Sequence, residues 1–421
     1  QLNDIFKKKN KKDNYISDRL LNIVEQFMIN HKLICYGGTA INNILPHEKQ
    51  FYDYDVDIPD YDFFSPNALE HAKELCNLYS KENVYHVEGK NAFFFGTYKV
   101  FVNFVPIADI TQIHPDFYHY LLKNAISVNK ILYTPASFLR MSLHQELARP
   151  LGDVSRWEKI YNRMKLLNLY YPIVIKEKKI KNKSIIKVTT KSFDTIYKKI
   201  YHFFVEHHLI FCNFNIVSCL LNTFFHKKIC AKKQNDIFIM YSNDLSDTFK
   251  QLNKLKLTSI QLKKIESKYK FIHDYFSIYY KQKIIGYVFQ TNSCLAYNEV
   301  TYNKKKIKLG NIDTLLSLYF SFILMDEIEI NNAFIYNICG QLGDIVNIYD
   351  DILTKYSNHK IPEAIKRFNL PCYGTQDDFQ HIFLSSGQAN FDIPLFQSFA
   401  FLYLWAISYH DRRRCPDEVK R

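Results

Sequence analysis

Asp60 and Asp62 are separated by one residue in the segment DYDFFS. A strand sends every second side chain to the same face, so the two carboxylates stand side by side. Neighbouring carboxylates repel, and a cation between them removes that cost. Hard oxygen ligands of this kind suit Mg2+ or Mn2+, which bind few carboxylates together with substrate phosphates. Asp109, at the end of the later segment VPIADIT, offers a third carboxylate that could complete a two-metal site. Gly37 and Gly38 are the only adjacent pair among 11 glycines and fall between a predicted strand and a predicted helix. Bare backbone there lets a phosphate approach, and a helix N-terminus presents N–H groups and a positive dipole end to it. Alone, such a pair also reads as a tight turn. Carboxylates downstream turn the reading toward metal-assisted chemistry on a nucleotide.

A rival acidic run precedes them. Asp53, Asp55 and Asp57 also alternate, in FYDYDVDIP. Pro59 separates the two runs, and proline is poorly placed inside a central strand. The first run therefore reads as a solvated acidic loop, and the strand as residues 60–65.

The elements that must position these groups follow from periodicity. Residues 15–30 carry apolar side chains at helical spacing, HKLICY reads as a short buried strand, and TAINNIL starts a helix that stops at Pro46. PNALEHAKELCNLYSKE reads as an amphipathic helix with Pro66 near its start. Residues 84–111 are dense in Val, Phe and Tyr and read as two or three strands. Helical pattern returns from about 135 to 170, and the basic run 176–187 reads as a linker. An offset of 177 residues lays HKLIC at 31–35 over HLIFC at 208–212, and Asp60–Leu78 over Ile237–Leu255. One offset across both segments predicts a fold used twice. Under it Asp60 and Asp62 fall opposite Ile237 and Ile239, and Gly37 and Gly38 opposite Phe214 and Asn215. The second copy is therefore expected to be catalytically inert.

The 421 residues carry 55 Lys+Arg and 42 Asp+Glu, a net charge of +13. Residues 1–150 hold 16 basic and 17 acidic side chains, and the remainder 39 and 25, so the excess lies after the acidic segment. A polyanionic partner fits that balance. Nine scattered cysteines without a CxxC pair exclude a zinc ribbon and suit reduced thiols. The N-terminal QLNDIFKKKNKKDN has no apolar stretch of the signal-peptide kind. The apolar runs Leu315–Met325 and Phe399–Ile407 fall short of the roughly 18–20 residues of a spanning helix and read as buried helices; no membrane partner is expected. HExxH, P-loop and GxGxxG patterns are missing, so the sequence does not support a zinc protease, a P-loop NTPase or a dehydrogenase.

The segments YGGTAIN, PDYDFFSPNA and GTYKVFVNFVPIADIT resemble the catalytic core of the poly(A) polymerases of large cytoplasmic DNA viruses, of the African swine fever virus and giant-virus type. That family belongs to the polymerase β-like nucleotidyltransferase superfamily, whose pattern is a GG or GS turn, a D-x-D strand and a later strand with a third Asp. The resemblance covers roughly residues 33–170, including ELARPLGDVSRWEKIYNRM. It implies an α/β (α+β) fold: a mixed sheet flanked by helices, plus a second, degenerate nucleotidyltransferase-like domain. The implied division is a catalytic domain at 1–135, a helical connector and basic linker at 136–190, and an inert C-terminal domain at 191–421.

By position, the resemblance assigns Gly37 and Gly38 to the triphosphate, with Thr39 and Asn42 beside them on the nucleotide. Arg156, Lys159 and Arg163 of DVSRWEKIYNRM, at helical spacings of three and four, read either as a grip on the triphosphate or as a solvated basic face. The resemblance assigns Asp60, Asp62 and Asp109 to catalysis and to two Mg2+ or Mn2+ ions. Thr39 stands where the family has Ser, and the gap from Gly38 to Asp60 is longer than usual. The Asn103 region of YKVFVNFV competes with Asp109 as the source of the third ligand. The implied reaction is template-independent transfer of AMP from ATP to an RNA 3′-hydroxyl. Another template-independent nucleotidyltransferase, or a non-catalytic RNA-binding scaffold, is the alternative. RNA contacts are expected at Lys176–Lys187, Lys227–Lys233, Lys304–Lys308 and Arg412–Arg414. A homodimer or a stimulatory subunit stays open as partner, and the expected setting is the host cytoplasm and the virion.

Overall fold

A computed structural model describes residues 18–53, 57, 59–82, 86–92, 96–173, 190–218, 236–267, 274–291, 293–325, 328–355 and 361–376. The predicted linker at 176–187, Asp55, the run Phe399–Ile407 and three of the four basic tracts lie outside them; Lys304–Lys308 is inside. The chain divides into two compact units. Described residues 18–139 belong to the first and 140–376 to the second.

In the first unit, helix α1 (Asp18–Asn30) buries Leu20, Val24, Phe27 and Met28, an apolar stripe at helical spacing. Strand β1 (Ile34–Cys35) leads into helix α2 (Gly37–Ile44), after which Leu45 and Pro46 leave the helical conformation. Strand β2 (Tyr61–Ser65) and helix α3 (Ala68–Tyr79) follow, then β3 (Val87–Asn91), β4 (Thr97–Val102) and β5 (Val105–Gln112). Helix α4 (Pro115–Asn124), with Pro at its start and a His114 side-chain cap, and the hairpin β6 (Ile126–Val128)–β7 (Ile131–Tyr133) go beyond the sequence reading. Helix α5 (Ala136–Leu147) crosses into the second unit. The sheet runs β3-β4-β5-β2-β1-β7-β6, with β2–β5 and β1–β7 parallel and the other pairs antiparallel.

The second unit starts with the rest of α5 and helix α6 (Trp157–Tyr170), both within the segment read as a connector. It continues with α7 (Lys191–Glu206), β8 (Ile210–Phe211), β9 (Phe238–Ser242) and α8 (Leu245–Lys254). Strands β10 (Ile260–Ile265), β11 (Tyr275–Tyr280), β12 (Lys283–Gln290), β13 (Leu295–Tyr302) and β14 (Lys305–Gly310) precede helices α9 (Ile312–Met325), α10 (Asn332–Asn347) and α11 (Tyr349–Lys355), and β15 (Cys372–Tyr373) adds an edge. Its sheet runs β10-β11-β12-β9-β8-β14-β13-β15. Element by element this is the order of the first sheet with one edge strand added. The directions agree too: β9–β12 and β8–β14 are parallel, and the remaining pairs antiparallel.

The duplication extends to side-chain braces. Gln112 Oε1 accepts the Ala68 amide at 2.7 Å at the start of α3, and Gln290 Oε1 accepts the Leu245 amide at 2.8 Å at the start of α8. The offset is 176 at β1, which lies over Ile210–Phe211, 177 from β2 to α3, 173 at the start of β3 and 178 for β4 and β5, so the single offset of 177 read from the sequence holds for β2 to α3 and is one residue too long at β1. Every residue of α9 except the half-buried Ser317 is buried, as expected for the apolar run that it contains. Among the described residues no helix is long and apolar enough to cross a membrane. The expectation of reduced thiols is corrected at one place: Cys294 and Cys372 form a disulfide with Cα atoms 5.1 Å apart. The pairing of β13 with β15 brings the two thiols together, and no sequence spacing announces it. Cys35, Cys76, Cys212 and Cys339 are free.

Candidate active site

The site is built where β2 and β5 run side by side. Their register pairs Asp62 with Asp109, so both side chains leave the same face of the sheet. Asp60 lies one residue before β2, two before Asp62. Asp109 is 5% exposed. Asp60 has a buried oxygen, Oδ1, without a hydrogen-bond partner. Asn103, the competing third position, turns the chain between β4 and β5 with φ 50°, and its Oδ1 accepts the His86 amide. It stands at the hairpin turn, six residues before Asp109.

Lys99 joins the carboxylates, a residue absent from the sequence assignment. Its Nζ donates to Asp109 Oδ1 at 2.7 Å and lies 2.5 Å from Oδ2, with the lysine side chain only 3% exposed. Asp109 thus pairs with a buried ammonium, and Asp60 feels the same charge through space. Burial outweighs that charge in the proton affinity of both. Burial raises Asp60, against the pull of Lys99. Burial pushes Asp109 up to about 7; Lys99 opposes the rise and the Asp60 charge adds to it. The same negative field reaches the flanking strand. Burial, then the Asp62 charge, holds both the Cys35 thiol and the Tyr36 phenol well above their ordinary values. A buried group short of positive charge takes up protons or a divalent cation. With an orphaned oxygen and an all-carboxylate donor set, Asp60, Asp62 and Asp109 fit a hard divalent metal.

Gly37 opens α2 with φ +74°, the left-handed region, and is buried. A Cβ there would stand 2.8 Å from Asp62 Oδ2. The glycine thus serves two needs, a turn at positive φ and room for a carboxylate. The N-cap residue Tyr36 gives α2 no side-chain cap. Gly38, half-buried, is the next residue of that first turn. Thr39 is buried and donates from Oγ1 to the Asp60 carbonyl at 2.8 Å, so it ties α2 to the start of β2. Asn42 is fully buried; its Oδ1 accepts the Phe51 and Tyr52 amides at 2.7 and 3.0 Å and anchors the acidic loop. Within that loop the Asp53 amide donates to Asp57 Oδ2, and neither residue belongs to a strand.

The fold brings Gly37, Thr39, Asp60, Asp62 and Asp109 together through α2, β2 and β5. Arg156 and Lys159 belong to the second unit. Arg156 is buried and pairs with Glu146 at 3.2 Å, and Lys159 is exposed on α6. In the second unit the equivalents of Asp62 and Asp109 are Ile239 and Tyr287, one register step after the paired Phe238 and Gly286. Asp236 Oδ2 there accepts the Asn215 amide at 2.8 Å, so the unit's own carboxylate occupies a helix start that the first unit leaves uncapped.

Residues 22–153 match the family described as Poly(A) polymerase catalytic subunit. A protein of Acanthamoeba polyphaga mimivirus, named as a candidate poly(A) polymerase catalytic subunit, is 32% identical over 163 residues, 38% of this chain and 27% of that protein. Its counterpart in African swine fever virus (strain Badajoz 1971 Vero-adapted) is 29% identical over 202 residues, 46% of this chain and 41% of the relative. The chain thus spans well under half the length of these curated relatives. The crystal structure of the Megavirus polyadenylate synthase shares the fold, with a TM-score of 0.74 at 20% identity, over 92% of this chain and 82% of that one.

Proposed function

We propose that this chain, whose residues 22–153 match the poly(A) polymerase catalytic-subunit family, adds AMP from ATP to an RNA 3′-hydroxyl without a template and releases pyrophosphate. The observation that carries the reading is the register that sets Asp62 beside Asp109, with Asp60 two residues before Asp62 and the buried Lys99 ammonium on Asp109. When bound, Mg2+ or Mn2+ supplies charge neutralisation at the triphosphate and acidifies the attacking hydroxyl. Asp60, Asp62 and Asp109 would hold the metals, and the α2 start at Gly37–Gly38 would receive the triphosphate. Thr39 keeps Asp60 in place through its carbonyl. Gly37 keeps clear the space that Asp62 occupies. Lys99 holds one face of Asp109, which limits the rotamers open to that carboxylate. Positioning and electrostatics of this kind are the main protein contribution to phosphoryl-type transfer.

The second unit, with Ile239 and Tyr287 in place of acids, is read as a non-catalytic support, and the basic excess after residue 150 as its contribution to RNA binding. Incubation of the chain with an RNA primer, Mg2+ or Mn2+ and each nucleoside triphosphate separately tests the proposal. A ladder with ATP alone is expected. Equal use of all four triphosphates would remove the adenylate claim. Asp62→Ala is expected to lower extension by at least about 1,000-fold, the loss of several kcal/mol of metal-borne charge stabilisation. Its primer binding should persist.

A further inference from the structure

We propose that His31, His71 and Glu74 form a second cation site on the first unit, suited to Zn2+ and separate from the aspartate cluster. A ligand atom of each lies within 4.8 Å of the other two. His31 follows the C-terminal end of α1, and His71 and Glu74 stand three residues apart on one face of α3. His31 Nε2 lies 3.1 Å from Glu74 Oε1, close to the edge of about 3.3 Å that metal bonds of roughly 2.0–2.1 Å give in a tetrahedron. The His31 and His71 rings are 4.7 Å apart between centroids.

His71 is oriented from behind. Its Nδ1 lies 2.7 Å from Ser65 Oγ, which also accepts the Asn67 amide at 2.8 Å. The second lone pair of that hydroxyl can take the Nδ1 proton, which makes Nε2 the unprotonated nitrogen. A ligating histidine is normally held this way by a hydrogen bond at its other nitrogen. Two imidazoles and one carboxylate suit Zn2+ rather than Mg2+, and the half-exposed setting leaves a fourth position to water.

The second unit provides an internal control. At the same offset, Ser242 Oγ accepts the Asp244 amide at 3.1 Å and meets Thr248 Oγ1 at 2.7 Å. Thr248 replaces His71, and Gln251, which bonds Asp247, replaces Glu74. The fold therefore needs only a hydroxyl contact at this point. The imidazole of His71 and the carboxylate of Glu74 exceed what packing requires, and only the first unit has them.

The test is a titration of the chelator-treated full chain with Zn2+ in the presence of excess Mg2+, which saturates the aspartate cluster. One equivalent of Zn2+ is expected to bind, with an affinity at least about 100-fold higher than in His71→Thr, a variant that copies Thr248. Co2+ in the same site should show the visible bands of a four-coordinate ion without a thiolate charge-transfer band. Equal Zn2+ affinity in wild type and His71→Thr, or a thiolate band, would overturn the proposal. If circular dichroism shows that His71→Thr does not fold, His31→Gln decides by the same comparison.

Discussion

Lys99 and Asp109 show what a single pair can do at this site. A lysine with 3% of its side chain exposed is costly unless paired, and here its partner is one of three acids that would bind metal. Lys99→Met strands Asp109 near Asp60 without compensation. The variant is expected to lose about 3–5 kcal/mol in metal-free buffer. Mn2+ should then raise its melting temperature by more than it raises that of the wild type. Equal Mn2+-induced rises in both proteins would mean that Lys99 does not offset the acids. Gly37 answers a different constraint. Gly37→Ala combines a positive φ with a Cβ 2.8 Å from Asp62 Oδ2, and a cost of about 1–3 kcal/mol is expected. Thermal unfolding reads the stability, and primer extension should fall further than stability alone explains, since Asp62 must move.

Elements decide which residues meet. A two-residue turn at Asn103–Phe104 pairs Val102 with Val105 and Phe101 with Pro106. Continued without interruption, that register sets Lys99 opposite Ala108. A bulge between Val100 and Phe101 shifts it by one residue and brings Lys99 to Asp109. The same irregularity recurs between Ile278 and Tyr279, where Ser277 then meets Tyr287 and no charge is needed. In the second unit, charge is placed at a helix start instead. Asp313, in the first turn of α9, accepts from Arg367 at 2.9 and 2.7 Å and lies 2.9 Å from His144 Nδ1, all three being buried. Burial alone would raise its pKa, but the Arg367 guanidinium and the His144 contact hold it at about 2. A carboxyl held below its unfolded value of 3.8 stabilises above that pH, and the contribution is lost as pH falls from about 4 to 2. Arg367→Met leaves only the His144 contact to oppose burial, so Asp313 rises relative to wild type and the variant should lose less stability in acid. Denaturant unfolding at pH 7 and pH 3 checks this. The variant's deficit of about 3–5 kcal/mol at pH 7 should shrink at pH 3.

At the scale of the molecule, charge and repetition carry the argument. The first 150 residues are nearly neutral, and the rest hold 39 basic against 25 acidic side chains. On the proposed function, RNA phosphates bound by these basic side chains would release counterions. Primer affinity is therefore expected to fall by at least about 100-fold between 50 and 200 mM salt, measured by filter binding. A salt-independent affinity would move recognition from phosphates to bases. The repeated sheet order explains how the chain carries two similar scaffolds with one acidic site: Asp62 and Asp109 become Ile239 and Tyr287 at matching positions of the register.

The order of elements from α1 to β5, the strand that carries Asp62 and the repeat itself were legible in the sequence. Each rests on local periodicity or on an offset that stays within a few residues, and both are read along the chain. The added helix α4, the β6–β7 hairpin and the Cys294–Cys372 bridge were not legible. Nor was the partnership of Lys99 with Asp109, because a one-residue bulge decides it and bulges leave no period behind. Thr39 and Asn42 illustrate the same limit. The sequence marks them as polar residues beside a glycine turn, but only packing commits one to the Asp60 carbonyl and the other to the Phe51 and Tyr52 amides. Chemistry-bearing residue types are set by the chain, whereas their hydrogen-bond partners and proton affinities depend on distance and burial, which exist only once the sheet has formed.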